Sequence, residues 1–259
     1  MLAGDYRYLG PPRPFWGVSR QVAMTSSTAF EQAWELGDQV PGWLTVDQAT
    51  MLWRAASRLG PGARIVEIGS HQGRSTTVLG IAARSVGATV VAVDPFVEGK
   101  LFGGTPTRVR FEKNVARAGL TDVVRLEAEY STELRKKWDE RIDLLYIDGK
   151  HDYWTYTDDM LWSENLVPGG EILVHDAFSS IGVTSGILAK VLCGKRYVYV
   201  DRAGSLARFR LAQPDWADRR RVLAEMPWFL RNVGIKVLLR LRLRPVARLF
   251  GHDGAYDPY

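Results

Sequence analysis

Residues Val66–Thr76 read V-E-I-G-S-H-Q-G-R-S-T, and the reading of this stretch decides the architecture. A short apolar strand, Arg64–Gly69, runs through glycines at 69 and 73 directly into a helix over Ser75–Ser85. Glycine permits the tight turn and a close approach of the backbone to a ligand, and a helix N-terminus favours a carboxylate or phosphate. A dinucleotide fingerprint would need G-x-G-x-x-G, whereas the spacing here is G-x-x-x-G with His71 inside it, which weakens a dehydrogenase reading.

The same strand-then-helix unit recurs downstream. Thr89–Val93 is a β-branched strand ending at Asp94, followed by a helix near Arg108–Ala118, a strand at Val123–Leu126 and a helix near Thr132–Trp138. Ile142–Ile147 again ends in an acid, Asp148. A helix over Tyr153–Glu164 then leads through Pro168-Gly169-Gly170 to the strand Glu171–Val174. Tyr197–Asp201 and Ser205–Leu211, joined by Arg202-Ala203-Gly204, predict a hairpin. Upstream, T-V-D-Q at Thr45–Gln48 has the form of a capping box opening a helix that Gly60-Pro61-Gly62 stops. Strand–helix alternation with apolar strand interiors predicts an α/β fold: a doubly wound, mostly parallel Rossmann-like sheet covered on both faces, with a terminal antiparallel hairpin. The expected divisions are an N-terminal arm, 1–41, lying over the active site with one short helix around Thr28–Leu36, a single α/β domain over 42–212, and a C-terminal extension, 213–259.

The 259 residues, 46% hydrophobic and 24% charged, exclude disorder as the dominant state and suffice for one large core. Cys193 is the only cysteine, so no intrachain disulfide can form, which suits a reducing compartment. No run approaches the roughly 20 apolar residues that span a bilayer. The first residues lack the apolar core of a signal peptide, and a cytoplasmic location is expected. The basic balance is local. Between Arg219 and Phe250, Arg219, Arg220, Arg221, Arg231, Lys236, Arg240, Arg242, Arg244 and Arg248 face Glu225 alone, so the body of the chain is slightly acidic. A general nucleic-acid surface is disfavoured and no nucleic-acid partner is expected.

In open parallel sheets ligands bind beyond the carboxyl ends of the strands. Those ends carry Glu67 to Gly73, Asp94, Asp148 with His151, and His175-Asp176. Asp94 follows Gly73 by 21 residues, where an acid can accept both hydroxyl hydrogens of an adenosine ribose. A nucleoside-containing cofactor is therefore expected, although each acid could also simply cap the turn after its strand. Asp148 and Asp176 end neighbouring strands, and two carboxylates facing one cleft suit a hard divalent ion such as Mg²⁺. Tyr153 and Trp154 read as packing residues, Lys150 as an exposed loop charge, and Asp158 or Asp159 as part of a solvated helix face.

The four blocks Val66–Thr76, Val93–Phe96, Ile147–Tyr153 and Leu166–Asp176, in this order, resemble those of the class I S-adenosylmethionine-dependent methyltransferases. The closer resemblance is to the branch of macrocin-type sugar O-methyltransferases and cephalosporin-hydroxylase-like proteins, methyltransferase family 24, and it covers about residues 42–211. It implies S-adenosyl-L-methionine as cofactor, with Glu67, Gly69, Ser70, Gly73 and Ser75 around its methionine part, Asp94 on the ribose and Ser131 near the adenine. It implies Mg²⁺ as the candidate ion, at Asp148, Asp176 and His175. His175 stands where some relatives carry an acid, and Ala177 where the catechol-type enzymes carry Asn. His151 stands three positions after Asp148, where catechol-type enzymes have the lysine that removes the acceptor proton; an imidazole of ordinary pKa near 6.5 can do this at neutral pH. No Asp/Asn-Pro-Pro-aromatic block follows the fourth strand, so oxygen is the expected acceptor atom, in a small molecule, a sugar or a lipid-linked sugar. The D-P-Y of the tail, Asp257–Tyr259, does not count as one. The N-terminal arm and a loop over Ala177–Gly186 are expected to shape the acceptor site. Two other readings stand beside this one: a hydroxylase-like accessory enzyme, and a non-catalytic cofactor-binding or membrane-associated scaffold.

Residues 227–250 hold six basic side chains and no acid, interleaved with Trp228, Phe229, Val233, Val237, Leu238, Leu241 and Phe250. Such a helix, broken near its end by Pro245, suits an anionic membrane surface, a homo-oligomer contact through 219–250, or packing on the core of its own chain with the arginines turned outward. The first alternative makes the protein peripheral on the inner face of the membrane.

Overall fold

Seven strands are found among the residues that the computed structural model describes, 28–99 and 103–251. They are β1 (Arg64–Ile68), β2 (Thr89–Val93), β3 (Val124–Glu127), β4 (Ile142–Ile147), β5 (Leu166–Val174), β6 (Tyr197–Ala203) and β7 (Leu206–Leu211). They form one sheet in the order β3-β2-β1-β4-β5-β7-β6, in which β7 runs antiparallel to β5 and β6 and the other pairings are parallel. The expectation of a mostly parallel, doubly wound sheet closed by an antiparallel hairpin holds. Reversal of strand order beside β1 and β4 creates the crevice in which such sheets bind ligands.

Successive strand residues point to opposite faces, and both faces are dry. Val66, Ile68, Leu145, Ile147, Ile172 and Val174 pack with Trp162 and Phe178 on one side. Ile65, Val90, Leu144, Tyr146 and Leu173 pack on the other against α1 (residues 28–38), α2 (Val46–Ala56) and α3 (Arg74–Val86). The capping box at Thr45 and Gln48 is formed as read. Helix α1 belongs to this layer through the fully buried Ala33. Arg74 at the start of α3 pairs with Asp38 at 2.5 Å and donates to the Val40 carbonyl, which brings residues 38–43 over the α3 N-terminus. The part of the arm at 1–27 and the tail Asp257–Tyr259 lie outside the described residues. The other α-helices are α4 (Thr105–Arg117), α5 (Ser131–Lys136), α6 (Tyr153–Asp159), α7 (Ile181–Ile187), α8 (Trp216–Ala224), α9 (Met226–Arg240) and α10 (Arg244–Leu249), with a 3₁₀ segment at Met160–Asn165 after α6 and a π-helical one at Leu188–Leu192 after α7.

Several local expectations are corrected. Strand β5 begins at Leu166, not Glu171, because Leu166 already pairs with Ile142 and Pro168-Gly169-Gly170 bulges before Glu171 pairs with Leu144. The hairpin turn is Gly204-Ser205, since Ala203 and Leu206 are paired and Gly204 takes the positive φ of 57°. The stretch expected as a loop over Ala177–Gly186 contains α7. Pro245 does not end a helix: it sits in the first turn of α10, where its missing N–H costs nothing, and the break falls at Leu241–Leu243 with Arg242 at φ 59°. Asp159 is buried, and Trp154 is 78% exposed, so neither fits its expected place.

Candidate active site

Parallel register gathers the strand ends. Ile68 pairs with Val93 and with Ile147, and Ile147 pairs with Val174, so Gly69, Asp94, Asp148 and His175 leave the sheet side by side. The ladder continues one step beyond the strands: Gly69 N donates to Val93 O, Asp148 N to Ile68 O and His175 N to Ile147 O. Gly69 has φ 89°, and a Cβ there would overlap the Asp148 carbonyl oxygen, so this glycine is required by the contact between the first loop and the β4 end.

Glu67 is fully buried, and its two carboxylate oxygens accept from the hydroxyls of Ser75, at 2.5 Å, and Thr76. Burial pushes its carboxyl up to about 7 against the lowering effect of those hydroxyls. Glu67 and Ser75 thereby clamp β1 to the first turn of α3. Ser70 lies in the glycine turn with its side chain buried beside the Glu67 carboxylate. Gly73 caps α3 without a side-chain bond to the helix N–H groups, which leaves first-turn donors for an anionic group. Across the crevice Asp94 accepts from His71 N at 2.8 Å and from Phe96 N at 2.9 Å. Each of its oxygens retains a lone pair for a further donor. Burial raises its carboxyl somewhat despite these bonds. Ser131, at the start of α5, donates to Asp159 Oδ1 at 2.6 Å; the second Asp159 oxygen has no partner and faces Gly149. Burial lifts Asp159 to about 7.

The ends of β4 and β5 build a second cluster. His151 Nδ1 lies 2.8 Å from Asp176 Oδ2, and its Nε2 lies 3.6 Å from Asp148 Oδ1. His175 Nδ1 lies 3.3 Å from the same Asp148 oxygen. Burial lowers His151, but the hydrogen bonds and charges of Asp148 and Asp176 outweigh it and push the imidazole up to about 9. His175 is driven well above its ordinary value by the same acids. Burial raises both acids, and the two imidazoles more than reverse this, holding Asp148 and Asp176 below the usual carboxylate range. His175 is buried, while His151 keeps 45% of its side chain exposed and is the imidazole open to solvent.

Three partners of this cluster escaped the sequence reading as site residues. Tyr146 OH donates to Asp148 Oδ2 at 2.9 Å, Ser179 Oγ donates to Asp176 Oδ1 at 2.9 Å, and Gln48 Oε1 stands 3.4 Å from His175 Nε2. Gln48 Nε2 in turn donates to Ser205 Oγ. The signal for Tyr146 was available, because a residue two before a strand-end acid shares its face. Gln48 was legible only as a helix cap, and the link between α2 and β5 is tertiary. Lys150 is an exposed loop charge, paired with Asp152 at 2.9 Å.

One donor atom from each of Asp148, His151 and His175 lies within 4.8 Å of the others. The buried His175 Nδ1 in this group has no aligned hydrogen bond. The set holds two nitrogens and one oxygen, and Asp176 stands behind it, bonded by His151 and Ser179. Mg²⁺ takes oxygen ligands, so this set does not fit the expected ion; imidazole-rich sets suit later first-row metals.

Residues 66–177 match a family of methyltransferases described as a methyltransferase domain, family 24, and the match runs from β1 to the residue after Asp176. Solved structures similar to this one include an O-methyltransferase from Bacillus cereus in complex with S-adenosylhomocysteine, 17% identical, covering 77% of this chain and 98% of that one at a TM-score of 0.52. The S-adenosylhomocysteine-bound methyltransferase PaMTH1 of Podospora anserina is 17% identical over 80% of this chain and 100% of its own, with a TM-score of 0.54. The O-methyltransferase TomG of Streptomyces achromogenes, in complex with S-adenosylmethionine, is 15% identical over 76% and 96%, with a TM-score of 0.51. At these identities the likeness is one of fold, and it agrees with the class I methyltransferase resemblance of the four sequence blocks.

Proposed function

We propose that this chain, which carries a methyltransferase domain over residues 66–177, transfers a methyl group from S-adenosylmethionine to a hydroxyl of a small molecule, sugar or lipid-linked sugar. The observation that carries the reading is the exposed imidazole of His151 held between Asp148 and Asp176, one strand away from the glycine turn that Gly69 and Gly73 form at the end of β1. The bound cofactor supplies an electrophilic methyl group. Ser70 and the free N–H groups of α3 receive its carboxylate end, on a turn that Gly69, Gly73 and the Glu67–Ser75 bond hold in shape. Asp94 accepts the ribose hydroxyls on its unused lone pairs, and Ser131, oriented by Asp159, borders the adenine. His151 Nε2 takes the acceptor proton, while Asp176 on Nδ1 fixes the ring and stabilises the charge that it gains. Most of the acceleration comes from orienting the hydroxyl against the methyl group.

Thermal unfolding with S-adenosylhomocysteine tests the cofactor assignment. A ligand at roughly 100 times its Kd adds about 2.7 kcal/mol and raises the midpoint, and Asp94→Ala should need far more ligand for the same rise. No rise at saturating ligand would overturn the reading. Incorporation of labelled methyl into a hydroxyl-bearing acceptor then separates the methyltransferase from a hydroxylase-like enzyme or a scaffold of the same fold.

A further inference from the structure

We propose that α9 and α10 dock on the headgroup–acyl boundary of an anionic lipid bilayer, independently of whether the methyl-transfer reading holds. Leu230 and Val237 on α9 and Leu241 at its C-cap are spaced i, i+7, i+11, which places them on one stripe. They are 66%, 52% and 63% exposed. Gly234 lies on the same stripe, with open space where a Cβ would be. Arg231 and Arg240 are exposed at roughly 100° and 80° to either side of it. The surface continues onto α10 and its end, where Leu249 is 85% exposed beside Phe250 and Arg248. Residues 226–251 contain no acid.

The inner side of α9 is a different set of residues. Ile235 is buried, Trp228 and Phe229 pack on the core, and the Arg202 guanidinium sits 4.0 Å from the Trp228 ring centroid. Among the described residues the outward stripe therefore has no packing role. Its partner must accept apolar side chains and neutralise cations together. A second copy related by a two-fold would set arginine against arginine. A nucleic acid would neutralise the arginines and leave the leucines wet. An anionic bilayer meets both demands, with phosphates level with the arginines and acyl carbons beneath the leucines. Among the described residues no helix is long and apolar enough to cross a membrane, so the contact is interfacial. Asn232 on α9 donates to the Phe178 carbonyl at 3.2 Å, so the docking helix is bonded directly to the loop that carries Asp176.

Flotation of the full chain with phosphatidylcholine vesicles, with and without about one third phosphatidylglycerol, tests this. The chain should float only with the anionic vesicles and be released by high salt. Leu230→Ser/Val237→Ser/Leu241→Ser and Arg231→Gln/Arg240→Gln/Arg242→Gln should each lower partitioning roughly a hundredfold, with unchanged thermal midpoints because these side chains are exposed. Failure to float with anionic vesicles, equal flotation with neutral ones, or a dimer in sedimentation that the leucine variant dissociates would overturn the proposal.

Discussion

His151 Nδ1 stands 2.8 Å from Asp176 Oδ2, a hydrogen bond that fixes which ring nitrogen can face an acceptor. The bond also sets the pH at which that nitrogen can work. Because the imidazole is pushed up to about 9, it is mostly protonated at neutral pH and its basic form grows as pH rises. Turnover should therefore rise from pH 7, reach half its limit near pH 9 and level off above it, rather than titrate near the 6.5 of a free histidine. His151→Ala should lose that rising limb and roughly 10²–10⁴-fold of turnover while binding S-adenosylhomocysteine almost normally. A pH–rate profile of the variant identical to that of the parent would remove His151 as the base.

Stability should fall over the same range of pH. His151 is raised from 6.5 to about 9 in the folded chain, so its contribution is complete below pH 6.5 and is lost as pH rises through 9. Asp159 and Glu67 are raised to about 7, so between pH 4 and 7 the folded state holds protons that the unfolded state has released. Their ionisation also destabilises the fold as pH rises. Melting midpoints should accordingly decline from about pH 5 to pH 9. Asp159→Asn, which stays neutral in the same place, should flatten the part of the decline below pH 7; an unchanged slope there would contradict the burial argument.

The fold was legible because each strand end announced itself with an acid or glycine, and parallel register then aligned them without further information. Less legible was what a polar residue does when its position and its type disagree. Asp159 falls three residues after the buried Tyr156 and one before the buried Met160, a helical stripe that points inward; its acidic type alone suggested solvent. Trp154 errs in the opposite sense, standing off that stripe and against Tyr153. Glu67 was read as a ligand-facing acid by resemblance, while the structure shows both its oxygens engaged by α3. Contacts between distant segments, such as Gln48 with His175, leave no trace in local spacing.

Gly69→Ala should damage the site through packing rather than chemistry. The added methyl meets the Asp148 carbonyl, and φ 89° is unfavourable for any side chain, so the first loop and the β4 end must separate. A loss of about 3 kcal/mol or more is expected, together with weakened cofactor binding. Gly62→Ala is the control: its φ is similarly positive, at 77°, but nothing lies within 4 Å of the new methyl. Equal denaturation midpoints for the two variants would show that backbone conformation alone, without the contact to Asp148, accounts for the effect.

The donor chemistry of the second cluster makes opposite predictions for two kinds of ion. Two imidazoles and one carboxylate oxygen lie within 4.8 Å of one another, a set that a hydrated, oxygen-seeking Mg²⁺ does not favour. Adding Mg²⁺ or a chelator should thus leave both the melting midpoint and turnover nearly unchanged. Co²⁺ or Zn²⁺ should instead raise the midpoint, because imidazole nitrogens suit these ions and Asp176 and Gln48 already orient the far sides of the two rings. Such an ion would occupy the His151 nitrogen proposed to take the acceptor proton, so stabilisation and inhibition should share one concentration dependence. His175→Ala should weaken both effects together. Activation by Mg²⁺ with loss of activity on chelation would mean that Asp148 and Asp176 act as the metal pair, with the imidazoles outside the coordination sphere.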